Sequence, residues 1–212
     1  MKLNFAIRKL FALFLFALLL FCCKDKQRDP IEIETEEVAI LLKKHGYNNE
    51  HVEQPEELKA ICQEKQRTVK DSTNYYRLAE VIALCDFYSN RLDTAMNVFN
   101  SIFDFCNKKD STDIRIATLE AHSYIDMGSF YTQMEKTDSS LYYLQKGVNA
   151  AKRQDNVKLE AVAYINIAAN QYQTGNYAMA ASNYRNALLV IDTLDYNNKK
   201  TLDRPCYFGL AR

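Results

Sequence analysis

The side chains able to bind a metal, move a proton or attack a carbonyl are few and scattered. Three histidines, His45, His51 and His122, stand at no metal-ligand interval from one another, from a cysteine or from an acid, and there is no HExxH stretch to set two imidazoles on one helical face. A Gly-rich phosphate loop, a GxSxG turn and a CxxC pair are likewise missing. His45 reads as a positive charge at a helix end, His122 as a surface residue, and the acids Glu36 and Glu37 as partners of a helix dipole. Cys62, Cys85, Cys106 and Cys206 each lie on an apolar face or beside an aromatic, where Cys serves as a small hydrophobe. Buried thiols are the preferred reading, and an oxidising compartment would leave three disulfide pairings open. No catalytic residue, metal or cofactor follows from this set, and the chain is expected not to be an enzyme.

The elements that carry these residues begin with a leader. Residues 1–23 place Lys2, Arg8 and Lys9 first, then an unbroken apolar run from Leu10 to Phe21, then Cys22 and Cys23 followed at once by Lys24, Asp25 and Lys26. The run is too short to span a bilayer, which takes about 20 apolar residues, and has the layout of an export signal. Its abrupt passage from apolar residues to cysteine to charge resembles the bacterial lipoprotein signal, and the Phe-rich leader ending in Cys-Lys-Asp resembles those of Bacteroidota. That resemblance implies cleavage before Cys23, lipid attachment to it and a cell-envelope address, at the outer membrane and facing the periplasm. Cys22 stands where Ala, Gly or Ser is usual, so ordinary secretion and an uncleaved anchor stay open.

Composition narrows the rest. The chain has 212 residues, 48% of them hydrophobic and 25% charged, enough for a medium-sized folded domain. Five glycines, three prolines and long amphipathic runs leave little room for β-turns, so the fold class is all-α with no β-sheet. Removing Lys2, Arg8 and Lys9 leaves 24 basic against 27 acidic residues, with no basic stripe, which argues against nucleic acid as a partner.

After a polar tether at 24–34, two N-terminal helices are expected within 35–71. The first, over 35–45, has Thr35 as its cap and Gly46 just past it. The second starts near Pro55 and presents Leu58, Ile61, Cys62 and Val69. Further on, residues 161–188 read as two amphipathic helices joined at Gly175 and Asn176. Tyr164, Ile167, Ala168 and Gln171 share one face, and Tyr177, Ala180, Tyr184 and Ala187 share another. Large against small residues let such helices interdigitate. The same size pattern recurs 40 residues earlier at Tyr124, Met127, Gly128, Glu135, Ser140, Leu144 and Gly147, and 45 earlier still at Ala79, Ile82, Ala83, Asn90, Ala95, Phe99 and Ile102. Tyr207, Leu210 and Ala211 begin it again, introduced by Asp203 and Pro205.

These residues resemble the tetratricopeptide repeats, whose period is about 34. The resemblance covers 72–212, as units at about 72–110, 112–152 and 157–193 and a truncated one at 203–212, with breaks at 108–112, 153–156 and 196–200. It implies a right-handed solenoid of antiparallel helical hairpins, with Tyr124, Tyr164, Tyr177, Tyr184 and Tyr207 packed in the core. It also implies a concave groove lined by His122, Ile125, Ser129 and Thr132 in one unit and Val162, Ile165, Ala169 and Tyr172 in the next, with Glu80, Leu84 and Phe87 from the first. That lining is apolar to neutral and lacks a Lys and Asn set for a terminal carboxylate, so an extended or helical peptide with hydrophobic anchors suits it better. The expected function is a non-enzymatic scaffold, a lipid-anchored envelope protein holding a protein or peptide partner. The alternative is the input part of a longer signalling protein, a histidine kinase or transcriptional regulator, cut at Arg212.

Overall fold

The computed structural model describes residues 28–47, 52, 54–110 and 112–211; the leader with Cys22 and Cys23, the first part of the tether and His51 lie outside them. Among the described residues there are nine helices and no strand: α1 (Pro30–Lys44), α2 (Pro55–Gln66), α3 (Ser72–Tyr88), α4 (Leu92–Asn107), α5 (Ile114–Gln133), α6 (Thr137–Arg153), α7 (Val157–Gln173), α8 (Tyr177–Ile191) and α9 (Tyr196–Leu210). None is long and apolar enough to cross a membrane.

The chain divides into two units at Glu37 and Val38. In the first, α1 starts five residues before the expected Thr35, inside the expected tether. Asp29 explains the earlier start: its carboxylate accepts from the Ile31 amide at 2.9 Å, ahead of a proline-led first turn. Thr35 donates to the Ile31 carbonyl as an interior residue of the helix, not as its cap. Arg28 and Glu36 form an exposed ion pair at 2.8 Å.

From Val38 onward the second unit is a run of packed helices, and the packing has a period. Helix α2 lies on α3, after which α3 pairs with α4, α5 with α6 and α7 with α8. Each hairpin meets the next through its second helix (α4 on α5, α6 on α7, α8 on α9) and through its first (α3 on α5, α5 on α7, α7 on α9). Local chemistry repeats with it. Asp71, Asp113, Asn156 and Asp195 cap α3, α5, α7 and α9, each side chain accepting from a first-turn amide, whereas α4, α6 and α8 have no such cap.

At the three hairpin turns, Asn90, Glu135 and Gly175 all take left-handed φ, at 60, 58 and 78°. The next amide then reaches back across the helix end, Arg91 to Asp86, Lys136 to Tyr131 and Asn176 to Gln171, at 2.8, 2.9 and 2.8 Å. These three residues are the ones the size pattern aligns. The sequence repeat is a structural repeat.

Small residues seat large ones as the pattern required. Gly128 receives Leu144, Gly147 receives Ile125, and Ala168, Ala180 and Ala187 are buried around Tyr184. Phe130 of α5 stacks flat on Phe87 of α3 at 3.6 Å between centroids and meets Phe99 of α4 edge-on at 5.4 Å, joining the first two hairpins.

Three expectations are corrected. Helix α9 begins at Tyr196, not near Asp203: Asp195 accepts from the amides of Asn197 and Asn198, so the expected break at 196–200 is its first turn. Pro205 therefore sits inside the helix, where its ring removes a donor. With that start the buried face of α9 is Leu202 and Cys206, one turn apart, and Tyr207 is 58% exposed. Tyr177 is also outside the core, 62% exposed at the start of α8, its ring edge-on to Tyr172. The four described cysteines are free and buried, and burial pushes Cys62, Cys85 and Cys106 up to about 12 and Cys206 to about 11.

Candidate ligand-binding cleft

Because first helices pack on first helices, one face of α3, α5, α7 and α9 is shared, and a cleft of about 400 Å³ opens along it. Of the expected groove residues, His122, Ile125 and Ser129 from α5 and Val162 and Ile165 from α7 line this cleft together, with Leu84 from α3. The repeat register brings them there, since each is one or two turns from its neighbour on a helix fixed by its own Asx cap.

Thr132, Ala169 and Tyr172 do not line it. Thr132 is consumed between helices: its hydroxyl meets the Ser140 hydroxyl at 2.6 Å, donates to the Gly128 carbonyl at 3.1 Å and accepts from Asn170 at 3.2 Å. Tyr172 packs against Tyr177. In the first unit Phe87 is occupied by its stack on Phe130, and Glu80 is fully buried in an ion pair with Arg77.

The structure adds residues that the sequence reading left out. Asp126 and Gln133 of α5, Tyr88 of α3, Lys158 and Asn166 of α7, Leu202 and Pro205 of α9, and Tyr47 after α1 all border the cleft. Asn166 donates to the Ser129 hydroxyl at 3.1 Å, which itself donates to the Ile125 carbonyl at 2.9 Å, so the two walls are tied by a polar bridge at the cleft surface.

The lining is not apolar to neutral as expected. His122 and Asp126 are one helical turn apart on α5, and behind them Arg77 pairs with Glu80, which also accepts from Ser123 at 3.3 Å. Tyr47 holds its ring 5.6 Å from the Arg77 guanidinium. Burial pushes His122 down to about 3, helped by the positive charges of Arg77 and Lys158, so its ring is neutral across the physiological range. Burial also holds the Asp126 carboxyl well above the usual carboxylate range; the Glu80 charge adds to this and Arg77 opposes it. The Tyr88 phenol is raised by burial and by Asp126.

Chemically the arrangement can hold an apolar segment on Ile125, Val162 and Ile165 and offer it fixed polar partners. His122 and Asp126 could exchange a proton with a ligand, and among the described residues no group of metal-ligating side chains accompanies them. Comparison with protein-family models, with curated proteins and with solved structures finds no match for this chain.

Proposed function

We propose that this chain is a non-enzymatic interaction scaffold of the tetratricopeptide-repeat type, which holds a peptide or an exposed protein segment in the cleft along α3, α5, α7 and α9. One observation carries the reading: two pairs of equivalent positions on successive first helices, His122 with Val162 and Ile125 with Ile165, line the same cleft. The recurring left-handed turns, Asx caps and small-against-large contacts support the repeat-family arrangement, a right-handed solenoid in that family. Apolar anchors with a few fixed polar groups are what recognition of a peptide by a preformed groove requires. The leader supports the setting: a cell-envelope lipoprotein attached through Cys23 and facing the periplasm.

The test is photocrosslinking from Ser129 in cells, comparing the wild type with a Val162→Ser, Ile165→Ser variant. A partner peptide captured by the wild type and lost with the variant is the expected result, and identical captures from both would sink the groove reading. Labelled fatty acid fed to the same cells should mark the wild type and leave Cys23→Ala unmarked.

A further inference from the structure

We propose that the polypeptide held in this cleft presents a lysine or arginine side chain to Asp126, with apolar neighbours of the same segment on Ile125, Val162 and Ile165. The inference rests on the groove reading above and adds the chemistry of the occupant. Asp126 lines the cleft, and among the described residues no hydrogen bond or ion pair ends on its carboxylate.

The other charges near it are answered or withdrawn. Arg77 and Glu80 of α3 are paired with each other, with Ser123 of α5 on Glu80 and Tyr47 beside Arg77. His122 of α5 is held neutral, Tyr88 of α3 is a phenol, and Lys158 stands exposed on the first turn of α7. Among the described residues Asp126 is the acid that lines the cleft with no ion pair of its own; the positive charge that reaches it, Arg77, is already paired with Glu80.

A wholly apolar occupant would seal that carboxyl away from water and leave its hydrogen-bonding capacity unmet. An acidic occupant would add a second negative charge beside Glu80 and disfavour ionisation of Asp126 further, with no opposite charge gained. A cation meets neither objection. Its charge offsets the burial and the Glu80 charge that oppose ionisation, so the carboxyl releases its proton to solvent as the ammonium or guanidinium arrives, and one charge-assisted pair replaces one desolvated acid. Binding is therefore linked to proton release, and affinity rises with pH until Asp126 is ionised in the free protein too.

A phage-displayed library of random dodecapeptides, panned on the wild-type protein, on Asp126→Asn and on the Val162→Ser, Ile165→Ser variant, decides it. The wild type should select apolar segments with Lys or Arg at one fixed position. The best such peptide should bind Asp126→Asn at least about thirtyfold more weakly, and replacing its cation by norleucine should cost the wild type a similar factor. Its wild-type affinity should rise with pH, and its affinity for Asp126→Asn should not. Asp126→Asn should melt no lower than the wild type, since the amide imitates the protonated acid.

Selected peptides that lack a cation, or that bind Asp126→Asn equally well, overturn this inference and leave the groove reading standing. Selection no stronger on the wild type than on the doubly substituted wall overturns both.

Discussion

Gly128→Ala tests whether the hairpins are held at the separation set by their small residues. Gly128 lies mid-way along α5, where helix propensity alone favours alanine by about 1 kcal/mol. A Cβ there would fall 2.5 Å from Cγ of Leu144, 2.8 Å from its Cδ2 and 3.0 Å from its backbone nitrogen. Leu144 is 0% exposed, and the contact with its backbone nitrogen cannot be relieved by turning the side chain, so α5 and α6 must part slightly. Overpacking of this kind costs about 1–3 kcal/mol, and the upper part of that range applies because a helix must move, so the net loss should be about 1–2 kcal/mol.

Urea unfolding followed by far-ultraviolet circular dichroism reads the loss as a lower midpoint at unchanged slope. The same substitution in a Leu144→Ala background removes the two side-chain contacts and leaves only the backbone one, so there the loss should be smaller than in the wild type. Gly147→Ala serves as a comparison: its Cβ would meet Cγ1 of Ile125 at 2.7 Å, but the nearest backbone atom is 3.5 Å away, an ordinary contact, so this loss should be smaller. If Gly128→Ala stabilises the wild type, or costs the same in both backgrounds, close approach at Gly128 is not what sets the spacing.

Two further outcomes follow from single residues. Glu135 is exposed and holds φ 58° at the turn where the third hairpin has Gly175, so Glu135→Gly should raise stability by about 0.5–1 kcal/mol, and a lower melting temperature would refute the strain. His122 has a folded pKa, about 3, below the ordinary value of 6.5. The unfolded chain therefore takes up its proton first as the solution is acidified, and the stability this group supplies is full above pH 6.5 and is lost as pH falls towards 3. His122→Asn should accordingly lose less stability than the wild type between pH 7 and 5, measured as the urea midpoint, and parallel losses would show that the ring is already free to protonate.

The fold was readable where one local rule decides the outcome. Large residues alternating with small ones at helical spacing placed Ala168, Ala180, Ala187, Gly128 and Leu144 in buried contacts, since a close helix pair admits few other arrangements. Turn alignment was readable even through Glu135, because position in the pattern, not residue type, dictated the left-handed φ. Helix starts were read less well, and the reason is competition between signals. Thr35 and Pro205 each suit a helix start, but Asp29 and Asp195 lie upstream with amides in reach, and the first competent cap wins. The recurring caps Asp71, Asp113, Asn156 and Asp195 were the clearer guide, and they place Cys206 rather than Tyr207 against α7 and α8.

The cleft's apolar walls followed from register, but its charge did not, because charge in a cleft depends on which groups neighbouring helices bring behind it. The i,i+3 spacing ties Arg77 to Glu80 on one helix, but nothing in the order of residues sets that pair beneath a surface formed 45 residues later, or leaves Asp126 there without an ion pair of its own among the described residues. One signal was nonetheless within reach: His122 and Asp126 stand four apart on a helix whose His was already assigned to the groove, so the acid had to share its face. An acid on the inner face of a packed helix array is either answered by its own chain or left for something else to answer. Glu80 is answered by Arg77 and Ser123, at the expense of a fully buried pair. Asp126, at the boundary of the cleft, has no ion pair among the described residues, and burial with the nearby Glu80 charge outweighs Arg77 and disfavours its ionisation, which an arriving cation would offset.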